Sequence, residues 1–153
     1  MKLYFACSIT GGREFEHVYQ ALIEALVADG HEIPTAHLAD STVVELETRV
    51  SPREVYARDV TWISESDALL AEVSVPSHGV GYEIGYALEA GKSVLCISQQ
   101  GRKVSKTITG NPHASLTTQS YRDIAEAIRL AREFIRQLKG SGYKLDRPPG
   151  VSL

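Results

Sequence analysis

Apolar residues along this chain fall into two rhythms. Short, mostly apolar runs at Leu3–Cys7, Ala68–Val75 and Ser93–Ser98 predict buried strands. Between them Phe15, Val18, Tyr19, Leu22, Ile23 and Leu26 recur at helical spacing, which predicts an amphipathic helix over Glu14–Asp29 that stops at Gly30. Ser51-Pro52-Arg53-Glu54 combines an N-cap serine, a proline at the first helical position and a glutamate that closes a capping box, so a helix should run from there to about Glu65. Tyr82–Gly91 reads as a short helix. Ile124, Ala127, Ile128, Ala131, Ile135 and Leu138 mark a long final helix, with Ser120–Asp123 as its capping box. His31–Pro34 is expected as a short second strand, placed at an edge by its proline. Ser115–Thr118 is expected as a last edge strand. Helical turns are expected near Val43–Glu47 and Val104–Ile108 inside otherwise irregular stretches.

Strands alternating with helices predict an α/β fold. The specific expectation is a flavodoxin-like three-layer arrangement, with a five-stranded, mostly parallel sheet in the order 2-1-3-4-5. Residues 1–139 then form one catalytic domain. The glycine, proline and charge content of 140–153 predicts a flexible tail.

Composition narrows the partners. The chain has 153 residues, 43% of them hydrophobic, enough for one domain with a sizeable core. A net charge of −3 gives no basic surface for a nucleic-acid polymer, although backbone amides can still hold a small anion. Cys7 and Cys96 lie in apolar runs and read as buried free thiols of a reducing compartment. No Cys/His pattern at ligand spacing occurs, so neither a metal nor a cofactor is expected. The start, Met1–Phe5, turns polar too soon for a signal peptide, and no run of about 18 apolar residues is present to span a membrane. The expected location is the cytoplasm.

The chemistry gathers at two glycine-punctuated loops. Ser8-Ile9-Thr10-Gly11-Gly12-Arg13 follows the first strand, and Pro76-Ser77-His78-Gly79-Val80-Gly81 follows the third, leading into Glu83. In the expected strand order those strands are neighbours at the topological switch point, where open α/β sheets bind ligands. Tyr4, Ser8, Gly11, Ser77 and Glu83 are thereby expected in one pocket. Gly79, Gly81 and Gly85 do not have dinucleotide-binding spacing, and no P-loop pattern is present. Ser77 and His78 are adjacent and make a poor nucleophile–base pair. A carboxylate nucleophile fits better. Glu83 would attack the anomeric carbon of a sugar, Asp59 would supply the proton of the departing group, and Tyr4 would orient Glu83 and keep it ionised. The plainer readings are that Glu83 complements a helix dipole and that Asp59 pairs with Arg58 or Arg53.

Tyr4-Phe5-x-x-Ser8-Ile9-x-Gly11-Gly12-Arg13, Asp59-x-x-Trp62 and Pro76-Ser77-x-Gly79-Val80-Gly81-Tyr82-Glu83-x-Gly85 together resemble the 2'-deoxynucleoside 5'-phosphate N-hydrolases of the nucleoside 2-deoxyribosyltransferase superfamily. The similarity spans roughly Leu3 to Tyr121. It implies a homodimer that cleaves the N-glycosidic bond of a deoxynucleoside monophosphate, with Glu83 as nucleophile and Asp59 handling the leaving base. It places Tyr4 by the sugar, where it favours the 2'-deoxy form. It assigns substrate contacts to Cys7, Ser8, Ile9, Thr10, Gly11, Gly12 and Arg13, to Ser77 and Gly79, and to His37 after the second strand. It also implies a phosphate contact from the neighbouring subunit, for which Ser115 and Asn111 are candidates. In one departure, Thr10 stands where the family loop carries a first arginine, so a bidentate cation is replaced by a hydroxyl. Two other functions share these motifs: a deoxyribosyltransferase that passes the sugar to another base, and a non-catalytic nucleotide-binding module.

Overall fold

The computed structural model describes residues 1–39, 42–43 and 48–140. Strands β1 (Leu3–Ala6), β2 (Ala68–Glu72), β3 (Ser93–Gln99) and β4 (Leu116–Tyr121) form one parallel sheet in the order β1-β2-β3-β4. Helices α1 (Glu16–Ala28) and α5 (Ile124–Gly140) cover one face, and α2 (Pro52–Glu65) and α3 (His78–Glu89) cover the other. A 3-10 turn, Ala36–Ala39, and a four-residue helix α4, Lys106–Thr109, complete the described elements. The α/β class and the parallel sheet are as the apolar runs predicted.

The strand count is not. The sheet has four strands rather than five, and the expected order 2-1-3-4-5 does not hold. His31–Pro34 contributes a single parallel bridge, Lys2 to Glu32, beside β1. Pro34 lacks the N–H needed to extend the ladder, and the chain turns into Thr35, whose hydroxyl accepts the Phe5 N–H at 3.0 Å. Of the expected turn at Val43–Glu47, residues 44–47 lie outside the described residues, as does the expected tail from 141 onward.

Alternation within the strands divides the core. Leu3, Phe5, Leu70 and Leu95 pack with Val18, Leu22 and Leu26 of α1 and with Leu130, Phe134 and Leu138 of α5. Tyr4, Ala6, Leu69 and Val94 pack with Ile63 of α2 and with Val80, Ile84 and Leu88 of α3. The cap of α2 is as its sequence predicts: Ser51 Oγ accepts the Glu54 N–H, and the Glu54 carboxylate accepts the Ser51 N–H at 3.0 Å. Gly30 ends α1 at φ +81°, with the following His31 N–H closing on the Leu26 carbonyl.

Two helix starts differ from expectation. Helix α3 begins at His78, not Tyr82, with Ser77 as N-cap accepting from the Val80 N–H. Glu83 therefore lies in the second turn, clear of the first-turn dipole position. The final helix is capped by Asp123, which accepts the Glu126 N–H at 2.8 Å; Ser120 and Tyr121 still belong to β4. Cys7 and Cys96 are both free and buried. Among the described residues no helix is long and apolar enough to cross a membrane, and no group of three or more His, Cys, Asp or Glu side chains is placed to hold a metal.

Candidate active site

The loops after β1 and β2 leave the carboxyl edge of the sheet side by side and touch. A Cβ on Gly11 would strike the Pro76 carbonyl and would lie 2.8 Å from Ser8 Oγ, so the backbones approach as closely as glycine allows. Gly12 adopts φ +132°, open to glycine alone at this turn. Ser8 Oγ is fully buried inside this contact and has no partner among the described residues.

Tyr4 points from β1 to the α2/α3 face and is fully buried. Its hydroxyl donates to Glu83 Oε1 at 2.6 Å. Burial, Glu83 and Asp59 push the phenol far above its ordinary ionisation range, so it stays a donor. Glu83 is pushed up to about 7, first by burial and then by the Asp59 charge, while the Tyr4 hydrogen bond and the Arg58 charge oppose the rise. Helix α2 brings Asp59 to the same place: Asp59, Glu83, Gly79, Tyr56 and Tyr82 line a small cleft of about 70 Å³.

Asp59 also carries the ion pair of its plainer reading. Arg58 Nε donates to Asp59 Oδ1 at 2.9 Å, and the Arg58 guanidinium lies 5.0 Å from the centre of the Trp62 ring. The His37 ring meets the other side of this group, edge-on to Trp62 at 5.7 Å. Tyr4, Glu83, Asp59 and Gly79 thus meet at one cleft; His37 borders it through Trp62 and Arg58, and Ser77 caps the helix that carries Gly79 and Glu83. Cys7 is buried with its thiol pushed up to about 12, chiefly by burial, and is inert as a nucleophile. Ile9 packs against the core and Thr10 is exposed at the loop tip.

Arg13 is half-buried and engaged within the chain. Its Nε binds Glu16 at 3.0 Å and its Nη1 donates to the Leu38 carbonyl at 2.8 Å, so it anchors the 3-10 turn that carries His37. Asn111 and Ser115 are not brought to this region within the chain. Asn111 Oδ1 accepts the His113 N–H, and the Ser115 carbonyl accepts the Val94 N–H at the amino end of β3. The loops of the site leave the carboxyl ends of the strands. A larger depression of about 390 Å³, between the starts of α1 and α5, holds none of the residues expected in the site.

The sequence reading overlooked Tyr56 and Tyr82 on the rim and gave Arg58 no part in the site. Tyr56, Asp59, Val60 and Ile63 repeat at helical spacing, which was the available signal. It also passed over Glu72, an acid inside the apolar run Ala68–Val75.

A parallel sheet with a buried acid–tyrosine pair between its first strand and a covering helix defines an α/β enzyme-like site. The chain belongs to the nucleoside 2-deoxyribosyltransferase family, whose profile matches residues 3–143. It is 39% identical over 137 residues to a Methanosarcina barkeri protein named "Putative 2'-deoxynucleoside 5'-phosphate N-hydrolase 1", covering 90% of this chain and 86% of that one. It is 38% identical to the 5-hydroxymethyl-dUMP N-hydrolase of Rattus norvegicus over 112 residues, 71% of this chain and 68% of the relative. The fold is shared with the Clostridium botulinum CMP N-glycosidase BcmB, with a TM-score of 0.64 at 20% identity, covering 86% of this chain and 99% of the other.

Proposed function

We propose that this protein hydrolyses the N-glycosidic bond of 2'-deoxynucleoside 5'-monophosphates, releasing the free base and 2-deoxyribose 5-phosphate. The observation that carries this reading is the Glu83 carboxylate, held at Oε1 by Tyr4 and facing Asp59 across one cleft. With Oε1 occupied by the phenol, Oε2 is the attacking atom. It bonds to C1' of the sugar as the C1'–N bond breaks, and the leaving base takes a proton from the Asp59 carboxyl, which is left as the carboxylate. Water then attacks C1', the Asp59 carboxylate takes its proton, and the C1'–Oε2 bond breaks to release the Glu83 carboxylate. The ring passes through oxocarbenium character in both steps, which a nearby anion stabilises.

The 5'-phosphate rests on the touching loops, at Ser8–Gly12 and at the amino end of α3, where Ser77 is the N-cap and His78 and Gly79 are exposed. His37 and Trp62 border the base. The cleft is smaller than a nucleotide, and Tyr56 and Tyr82 stand 55% and 50% exposed at its rim. Both facts favour a homodimer in which the partner covers the rim and brings Ser115 or Asn111 to the phosphate. The free thiols suit a cytoplasmic setting.

Incubation with a panel of deoxynucleoside monophosphates, followed by chromatography for free base, tests the reading; no release from any of them overturns it. The family's own description favours a second reading, transfer of the sugar to another base, because the glycosyl-enzyme is common to both. Capture of the sugar by an added free base, with unphosphorylated deoxynucleosides as donors, would establish it.

A further inference from the structure

Glu72 closes β2 and is fully buried, on the opposite face of the sheet from Glu83. Ala68 and Leu70 precede it on that face, among the apolar side chains of α1 and α5. No step of the reaction above uses it. A buried carboxylate loses its hydration, and an apolar side chain would suit the position better unless the acid organises something.

What it organises is visible in its partners. The Ser74 hydroxyl donates to Oε1, and the Tyr121 hydroxyl donates to the same oxygen at 2.9 Å. The Ser74 backbone N–H lies 3.3 Å from both carboxylate oxygens, so the chain curls back on the acid two residues after it. Ser74 Oγ in turn accepts the Gln99 N–H at 2.7 Å. The carboxyl ends of β2, β3 and β4 are thereby fastened at one point. From this point the chain leaves as Val75-Pro76-Ser77, whose Pro76 carbonyl abuts Gly11 and whose Ser77 caps α3. Burial raises the proton affinity of Glu72, and the Ser74 and Tyr121 hydrogen bonds oppose the rise.

We propose that Glu72 is a positioning residue for the phosphate end of the substrate: by fixing Ser74 against the ends of β3 and β4 it sets where the 75–79 turn presents its amides. This rests on the reading that the 74–81 loop receives the 5'-phosphate. Because Glu72 lies across the sheet from Tyr4 and Glu83, its loss shifts the turn without touching the reacting groups. Binding of the phosphate and the rate of the chemical step therefore separate.

The test compares wild type with Glu72→Ala, Glu72→Gln and Tyr121→Phe. Binding of dGMP and of deoxyguanosine is measured by calorimetry, kcat and KM by base release, and folding by thermal unfolding. Tyr121→Phe, which removes one buried hydrogen bond, should weaken dGMP binding by about tenfold, and Glu72→Ala, which removes the Ser74 bonds as well, by at least as much. Deoxyguanosine binding should be unchanged, and kcat should hold within about twofold. Glu72→Gln keeps one oxygen for the Ser74 and Tyr121 hydroxyls and should recover most of the dGMP affinity. If Glu72→Ala does not fold, the other two variants carry the test. Equal weakening for nucleotide and nucleoside, or a fall in kcat with dGMP affinity intact, would overturn the proposal. A wild type that binds dGMP more tightly than deoxyguanosine but frees no base would defeat the hydrolase reading and leave the positioning role standing on the binding data.

Discussion

The Tyr4 hydroxyl sits 2.6 Å from Glu83 Oε1, joining residues 79 apart in the sequence. One comes from the innermost layer of the fold and the other from the second turn of a covering helix. The bond fixes the carboxylate and favours its charged form in a setting that otherwise opposes charge.

Tyr4→Phe removes that bond and leaves the ring. A hydrogen bond to a charged group is worth about 1.5–3 kcal/mol, so kcat/KM for a deoxynucleoside monophosphate should fall by about tenfold to a hundredfold. If the phenol crowds the place of a 2'-hydroxyl, as the proposed function has it, the ratio of dCMP to CMP hydrolysis should drop. Steady-state kinetics on both nucleotides measures each effect, and unchanged discrimination would remove Tyr4 from the sugar site.

As the proposed nucleophile Glu83 must be ionised to attack, and burial pushes it up to about 7. The rate should therefore fall as pH drops through 7. The sign for stability is opposite. The folded state holds a proton on Glu83 up to about 7, while the unfolded chain loses it near 4.5, so stability falls as pH rises across that window. Glu83→Gln should abolish turnover, yet above pH 7 it should be more stable than wild type by up to about 3 kcal/mol. Denaturant melts at pH 5 and pH 8 check this; the advantage should be present at pH 8 and gone at pH 5.

Arg58 and Asp59 act on Glu83 with opposite signs. Arg58→Met keeps the apolar stem over Trp62 but removes the charge, so the acid limb of the pH–rate profile should move to higher pH. Asp59→Asn should move it lower and also slow departure of the base. Profiles of kcat/KM for the two variants must diverge from wild type in these opposite directions.

Gly11→Ala would place a methyl against the Pro76 carbonyl and Ser8 Oγ. The two loops must part to admit it, a cost of about 1–3 kcal/mol in overpacked sites. Both the thermal midpoint and the affinity for a deoxynucleotide should fall, whereas Gly81→Ala, with open space around it, should leave the loop contact intact.

The apolar runs that became β1, β2 and β3 were legible because nothing polar interrupts their cores, and the α2 cap because its three signals coincide. The start of α3 was hidden: His78-Gly79-Val80-Gly81 contains two glycines, each costing roughly 1 kcal/mol in a helix, and packing of Val80 and Ile84 overrides that preference. The cap of α5 had two overlapping registers, Ser120 to Asp123 and Asp123 to Glu126, and the continuation of β4 through Tyr121 selects the second. In the site, Glu83 and Tyr4 could be placed because the strand that leads to Glu83 pairs with β1 as expected, and Asp59 because helical spacing sets it on the side of Val55 and Trp62. The inward turn of Arg13 could not, since it depends on the Leu38 carbonyl, a backbone group with no signature in the sequence.

That inward turn has a wider meaning. Arg13 is the one permanently charged cation in either loop, and Thr10 is a hydroxyl. On the proposed reading, the phosphate cradle would work through oriented dipoles whose influence dies within a few ångströms, whereas an outward guanidinium would be felt over about 8 Å at physiological ionic strength. Such a mouth would select by fit at contact and draw little from long-range attraction, so its affinity for a nucleotide should vary little between low and high ionic strength.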